Sequence, residues 1–410
     1  MPPAEPIETR RFHSLDALRA GALLLGILLH ASMSFLPGFR EVNWPISDDS
    51  TSAGLGVAFF VIHVFRMAVF FLIAGFFARI LRERLGSGGF LRNRLRRIGL
   101  PLVAFYLLVL PLTIIALIWG AVQLGIKGPP VVAPPIPLIG PQVPWGHLWF
   151  LYLLLVICAL ALAGRALFVR FDARGTLRER VGRLLCAAFR LRLAPVMLAV
   201  PLAAILALLP WWHEWMGIPV PITGLVPNVA VLAAYGGAFV IGWIIHREQG
   251  ILRTLAADWA LYLVVAALAT GAALYLVGIK PRFGVLGLGD SARLGYAFAY
   301  TLAMWSWTFA LLGIAVSRFD AVSARWRYLA DASYWMYLIH LPIVMLLQAW
   351  MMRWPLHWSI KFGLILAITS ILLLASYRYL VRSTFIGKFL NGRKYPRGLP
   401  ATSAASISPG

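Results

Sequence analysis

The sequence predicts an all-α, polytopic integral membrane protein of about ten transmembrane helices with both termini in the cytoplasm. Three observations lead there. Hydrophobic residues make up 61% of the 410 and charged residues only 13%, with a mean hydropathy of +0.82, which leaves too little polar surface for a water-soluble fold. Apolar runs of about 20 residues, the length that crosses a bilayer as a helix, recur along the whole chain. Finally, Lys and Arg gather in alternate connecting segments. With the amino terminus inside, 29 of the 37 fall on the inner side, seven fall outside, and Arg66 is left within a span, as the positive-inside rule requires.

The net charge of +22 is therefore topological, since the basic clusters lie between apolar runs without a nucleic-acid recognition motif, and no nucleic-acid partner is expected. Cys158 and Cys186, in or near apolar segments, indicate neither a disulfide framework nor a zinc site. Residues 1–12 are expected to be a disordered cytoplasmic amino terminus, 13–385 the membrane domain, and 386–410 a basic to disordered cytoplasmic tail. No cleavable leader is expected, because many more apolar runs follow the first. Spans are expected near 15–36, 56–80, 99–121, 147–164, 193–210, 229–246, 256–278, 294–316, 333–352 and 360–380.

The first span, SLDALRAGALLLGILLHASMSF, carries Asp16, Arg19 and His30. Arg19 and His30 lie eleven residues apart, which returns to nearly the same helix face roughly 16 Å further along the axis. Asp16, three residues before Arg19, is spaced to brace the guanidinium or to cap the helix. In the second span, VIHVFRMAVFFLIAGFFA, His63 and Arg66 are one turn apart on one face. Arg66 falls near the midplane, where facing lipid costs about 2.5 to 3.5 kcal/mol or more, so it faces protein or a wet cavity. His30 and His63 lie at comparable depths and are placed to share a pocket.

Between the second and third spans, Arg92, Arg94, Arg96 and Arg97 precede Gly99 and Pro101. Two readings stand: a topological anchor, or a guanidinium cluster that grips a phosphate-bearing donor from the cytoplasm. The outer segment from Gln123 to Gly146 is rich in proline, which rules out a helix and suggests a stiff cover or a passive connector. Span four opens with His147, Trp149 and Tyr152 at the outer interface, where an aromatic belt accounts for the Trp and Tyr. In span nine His340 precedes Pro342, so a kink is expected there, with a packing role and a cavity role both open for the histidine.

LDALRAGALLLGILLH, FRMAVFFLIAGFF, RNRLRRIGLPL, HLWFLYLLL and ASYWMYLIHLPI, in this order, resemble the membrane-bound acyltransferase 3 family, and within it the glucan succinyltransferase-like branch. The likeness is strongest in the pattern of Arg19, ten residues and His30, and in Arg94-x-x-Arg97. It implies an inner-membrane, multi-pass O-acyltransferase that esterifies a periplasmic glucan or other extracytoplasmic carbohydrate. The implied donor is a cytoplasmic acyl-CoA, succinyl-CoA or acetyl-CoA, with no permanently bound cofactor. It further implies the stand-alone form, without an added periplasmic hydrolase-like domain. On this reading His30 is the general base, Asp16 and Arg19 hold the helix mouth, and Arg94 and Arg97 contact the CoA phosphates. His63 or Arg66 stabilises the oxyanion, Arg66 alternatively pairing with a succinyl carboxylate, and His340 and His147 are further candidates. No metal is expected, because no His and carboxylate spacing here matches a metal motif. A transporter or flippase for an anionic metabolite or glycan precursor, with Arg66 as counter-charge, is the alternative.

Overall fold

The computed structural model describes residues 13–126, 141–319, 323–392 and 395, and most of these are helical. The amino terminus to residue 12, most of the Pro-rich outer segment and the tail beyond residue 395 lie outside the described residues. The helices are α1 (His13–Ser32), α2 (Ala53–Arg94), α3 (Leu100–Leu124), α4 (Trp149–Phe171), α5 (Thr176–Arg190) and α6 (Ala194–Ala207). They are followed by α7 (Val229–Val231), α8 (Gly237–Arg247), α9 (Gly250–Val277), α10 (Asp290–Arg318), α11 (Ala324–Met351), α12 (Trp358–Ser376) and α13 (Phe385–Asn391).

Among the described residues, 8 helical runs are long and apolar enough to cross a membrane, or up to 9 if the bent pair of α5 and α6 is one span. The multi-pass architecture is as predicted, but three local features differ. Predicted spans two and three are one helical run of 72 residues, which if straight would be about 108 Å long, far more than the ~30 Å hydrocarbon core. The run breaks at Gly86 (φ 68, ψ 179) and passes through a π-turn at Leu95–Gly99. Predicted span five is realised as α6, 14 residues long and joined to α5 at 110°. At about 21 Å it is too short to cross alone. The segment expected as a disordered tail from residue 386 begins in helix α13.

Apolar runs alone do not bind helices to one another in lipid, where close approach of backbones supplies the attraction instead. Here α2 and α8 touch through reciprocal glycines. A Cβ on Gly75 would overlap the Phe239 carbonyl, and a Cβ on Gly242 would overlap the Leu72 carbonyl. Gly242→Leu is therefore expected to force the pair apart and to destabilise the fold by about 1–3 kcal/mol or more. The check is the thermal unfolding midpoint in detergent, which should fall by several degrees and would stay unchanged if the helices had slack.

The segment between α1 and α2 is held down by a buried ion pair. Lys361 Nζ lies 2.6 Å from Asp48 Oδ2, with the two side chains 3% and 2% exposed. The Trp358 N–H donates to Ser50 Oγ at 3.0 Å, fixing the same segment to the start of α12.

Candidate active site

α1 packs against α2, α10 and α11, and polar bonds tie it to α11 near both ends. Arg19 Nη2 donates to the Ala330 carbonyl at 3.0 Å and pairs with Asp16 at 3.2 Å. Gln348 Nε2 donates to the carbonyls of His30 and Ala31, each at 3.0 Å, so the last turn of α1 has partners where lipid offers none. The backbone of His30 is thus fixed while its ring is left to the interior.

That interior is a cavity of about 1610 Å³. Arg19, His30, His63, Arg66, Arg94, Arg97, His147 and His340 all line it. Asp16 does not; it lies in a small separate cleft beside His13 and Trp326, and its partner Arg19 lines the cavity. At the end nearest the arginine clusters the lining also includes Arg84, Asp331 and Asn391. At the other end it includes Trp44, Trp211 and Phe283. Guanidiniums outnumber carboxylates on the wall, which suits an anionic occupant.

Three imidazoles form a chain across the middle. The ring centroids of His30 and His340 are 5.2 Å apart, and those of His340 and His147 are 5.1 Å apart. His63 stacks on Phe59 at 5.4 Å. His340 and His147 are held by main-chain carbonyls: His340 Nδ1 is 2.8 Å from the Tyr337 oxygen, and His147 Nε2 is 3.2 Å from the Tyr337 oxygen and 3.3 Å from that of Leu338. A carbonyl only accepts, so each bonded nitrogen carries the proton and the opposite one keeps a lone pair. His340 Nε2, on a residue 3% exposed, has no hydrogen-bond partner among the described residues.

The packing of His147 follows from Pro342. A proline within a helix cannot donate to the carbonyl four residues back, which here is that of Leu338, and His147 Nε2 is a donor to that oxygen. His147 thereby satisfies a backbone acceptor inside the bilayer and is drawn 7% exposed into the cavity wall. Trp149, expected in an interfacial belt, is instead 8% exposed and stacks on Tyr235 at 6.0 Å.

Arg66 enters from α2 between these groups, and its space is set by α1: a Cβ on Gly26 would overlap Arg66 Nη1. Tyr235 and Tyr337 lie near the guanidinium, and both line the cavity. Gly26, Tyr337 and Gln348 are site residues that the sequence reading did not single out. Of the three, Gln348 carries a local signal, a glutamine within an apolar helix, whereas Gly26 and Tyr337 carry none. Two π-turns also coincide with the cavity: Leu95–Gly99 carries Arg97 and Leu232–Gly236 carries Tyr235, in keeping with the frequent placement of such bulges at functional sites.

A family described as an acyltransferase domain matches residues 12–376. The proteins named Glucans biosynthesis protein C from Escherichia coli (strain K12) and from Shigella dysenteriae serotype 1 are each 32% identical to this chain over 161 residues, covering 38% of it and 39% of theirs. The match thus spans about two fifths of the length of these curated relatives. No solved structure matches.

Proposed function

We propose, since the chain belongs to the acyltransferase family whose domain matches residues 12–376, that it transfers an acyl group from a cytoplasmic acyl-CoA to a carbohydrate hydroxyl outside the inner membrane. The observation that carries this reading is the shared cavity, whose lining runs from Arg94 and Arg97 past His30 and Arg66 to Trp44 and Trp211. The names of the relatives support a glucan as the acceptor, and a succinyl or acetyl group is the acyl unit of choice.

On this reading the donor's phosphates meet Arg94 and Arg97 at the inner mouth, where forked guanidiniums suit phosphate oxygens. Asp16 braces Arg19 at the same entrance, and the thioester reaches the middle of the bilayer. An acceptor hydroxyl enters from the outer mouth. His30 removes its proton as the oxygen attacks the thioester carbon, giving a tetrahedral oxyanion. Arg66, with His63 beside it, stabilises that charge. When the C–S bond breaks, the thiolate of CoA takes the proton from the His30 imidazolium, and ester and free CoA leave by opposite mouths. His340 and His147, each held to a main-chain carbonyl, keep the wall around His30 in place.

Mass spectrometry of periplasmic glycans tests the reading. Cells making the intact protein should show glycan masses raised by one ester group, and cells lacking it or carrying His30→Ala should not. An unchanged mass spectrum together with solute flux through the protein and no loss of thioester would point to a transporter instead.

A further inference from the structure

Helix α13 (Phe385–Asn391) begins beyond residue 376, where the family match ends, yet its last turn borders the inner mouth. Leu390, Asn391 and Gly392 line the cavity beside Arg97. A helix of this kind ends with carbonyls that lack partners and with partial negative charge, so a cation there is favoured. Arg97 fills that role from across the fold: its Nη1 donates to the carbonyl of Lys388 at 2.9 Å and to that of Phe389 at 3.1 Å. The helix is in turn secured to α11, because Asn391 Nδ2 donates to the Asp331 carbonyl at 2.9 Å and the Tyr395 hydroxyl lies 2.7 Å from Asp331 Oδ2. Tyr334 of α11 donates to the carbonyl of Arg97 itself at 2.8 Å.

Gly392 completes the arrangement. It ends α13 with φ 83, a conformation that L side chains rarely adopt, and a Cβ built on it would overlap Arg97 Nη2. A guanidinium has five N–H donors. With Nη1 engaged by the two carbonyls, the edge formed by Nε and Nη2 is the part left for a ligand, and glycine at 392 leaves Nη2 and Nη1 the room to hold that orientation.

We propose that α13 and Gly392 are positioning elements for the nucleotide end of the donor: they aim the Nε and Nη2 edge of Arg97 at an acyl-CoA phosphate. This rests on the reading that Arg97 meets that phosphate. The class of ligand is an anionic nucleotide thioester, and the part of it recognised is the phosphate, not the acyl chain.

The experiment uses the purified protein and two donors with the same acyl group, one an acyl-CoA and the other an acyl-pantetheine that lacks the nucleotide phosphates. Gly392→Val should raise KM for acyl-CoA by roughly tenfold, the loss expected of one charge-assisted hydrogen bond, with little change in kcat. Turnover of acyl-pantetheine should equal that of the wild type. A chain ending at Thr384, which removes α13 altogether, should show the same split and covers the case in which the valine variant does not fold. Unchanged KM for acyl-CoA would overturn the proposal. So would a lower KM, which would make α13 an obstruction, or equal losses with both donors, which would make it a support of the fold. If the wild type itself used neither donor, the donor reading would fall first, so the two failures are distinguishable.

Discussion

Replacing His30 with alanine is expected to lower the rate of acyl transfer by about 10²- to 10⁴-fold, the range that a positioned general base supplies, while leaving the protein folded. The two halves of that expectation come from different bonds. The main chain of His30 is held by Gln348 Nε2 at 3.0 Å, a contact that survives loss of the ring, whereas His30 Nδ1 has no hydrogen-bond partner among the described residues and the side chain lines the cavity. Free CoA release at saturating acceptor measures the first half and the unfolding midpoint in detergent the second. A loss below about tenfold would move the proton acceptance elsewhere. The next ring is His340, whose Nε2 lone pair is set by the Nδ1 contact to Tyr337 at 2.8 Å.

The second large effect is expected at Arg66. Arg66→Gln should cost about 10²- to 10³-fold in kcat, the scale of losing one oxyanion donor. It keeps a polar side chain of moderate length where Gly26 has left room for a guanidinium. Measured on succinyl-CoA and acetyl-CoA in parallel, the variant separates the two roles open to this residue. Equal losses on both donors mean that Arg66 acts on the oxyanion alone. A clearly larger loss on succinyl-CoA means that it also pairs with the free carboxylate and selects the acyl group. No loss on either would remove Arg66 from the chemistry.

Much of this site was legible in the sequence, because its parts lie within single helices. A spacing of eleven puts Arg19 and His30 on one face of α1, and a spacing of three does the same for His63 and Arg66 on α2. Helical periodicity is a local property, and the cavity lining includes all four. What was not legible depends on a second helix. Nothing near Gly26 says that Arg66 will lie against it, and nothing near His147 says that Pro342, almost two hundred residues later, will leave the Leu338 carbonyl in need of a donor. The break at Gly86 and the short limb of α6 escaped for another reason. Apolar length marks what lipid will accept, and it is silent on where a helix bends, since that is decided by backbone conformation and packing. α13 was hidden by composition: a basic segment near the end of a chain reads as a solvated tail until a partner such as Arg97 caps its carbonyls.

The inner arginines and the central histidine matter here only if they serve one reaction across the bilayer. Proteoliposomes with acyl-CoA on one face of the membrane and a glucan on the other test that directly. Ester should accumulate on the glucan in the compartment opposite the donor, at a rate that depends on both substrates and collapses in His30→Ala. Thioester consumption that proceeds without the glucan, or ester formed at the wild-type rate without the His30 ring, would contradict the account.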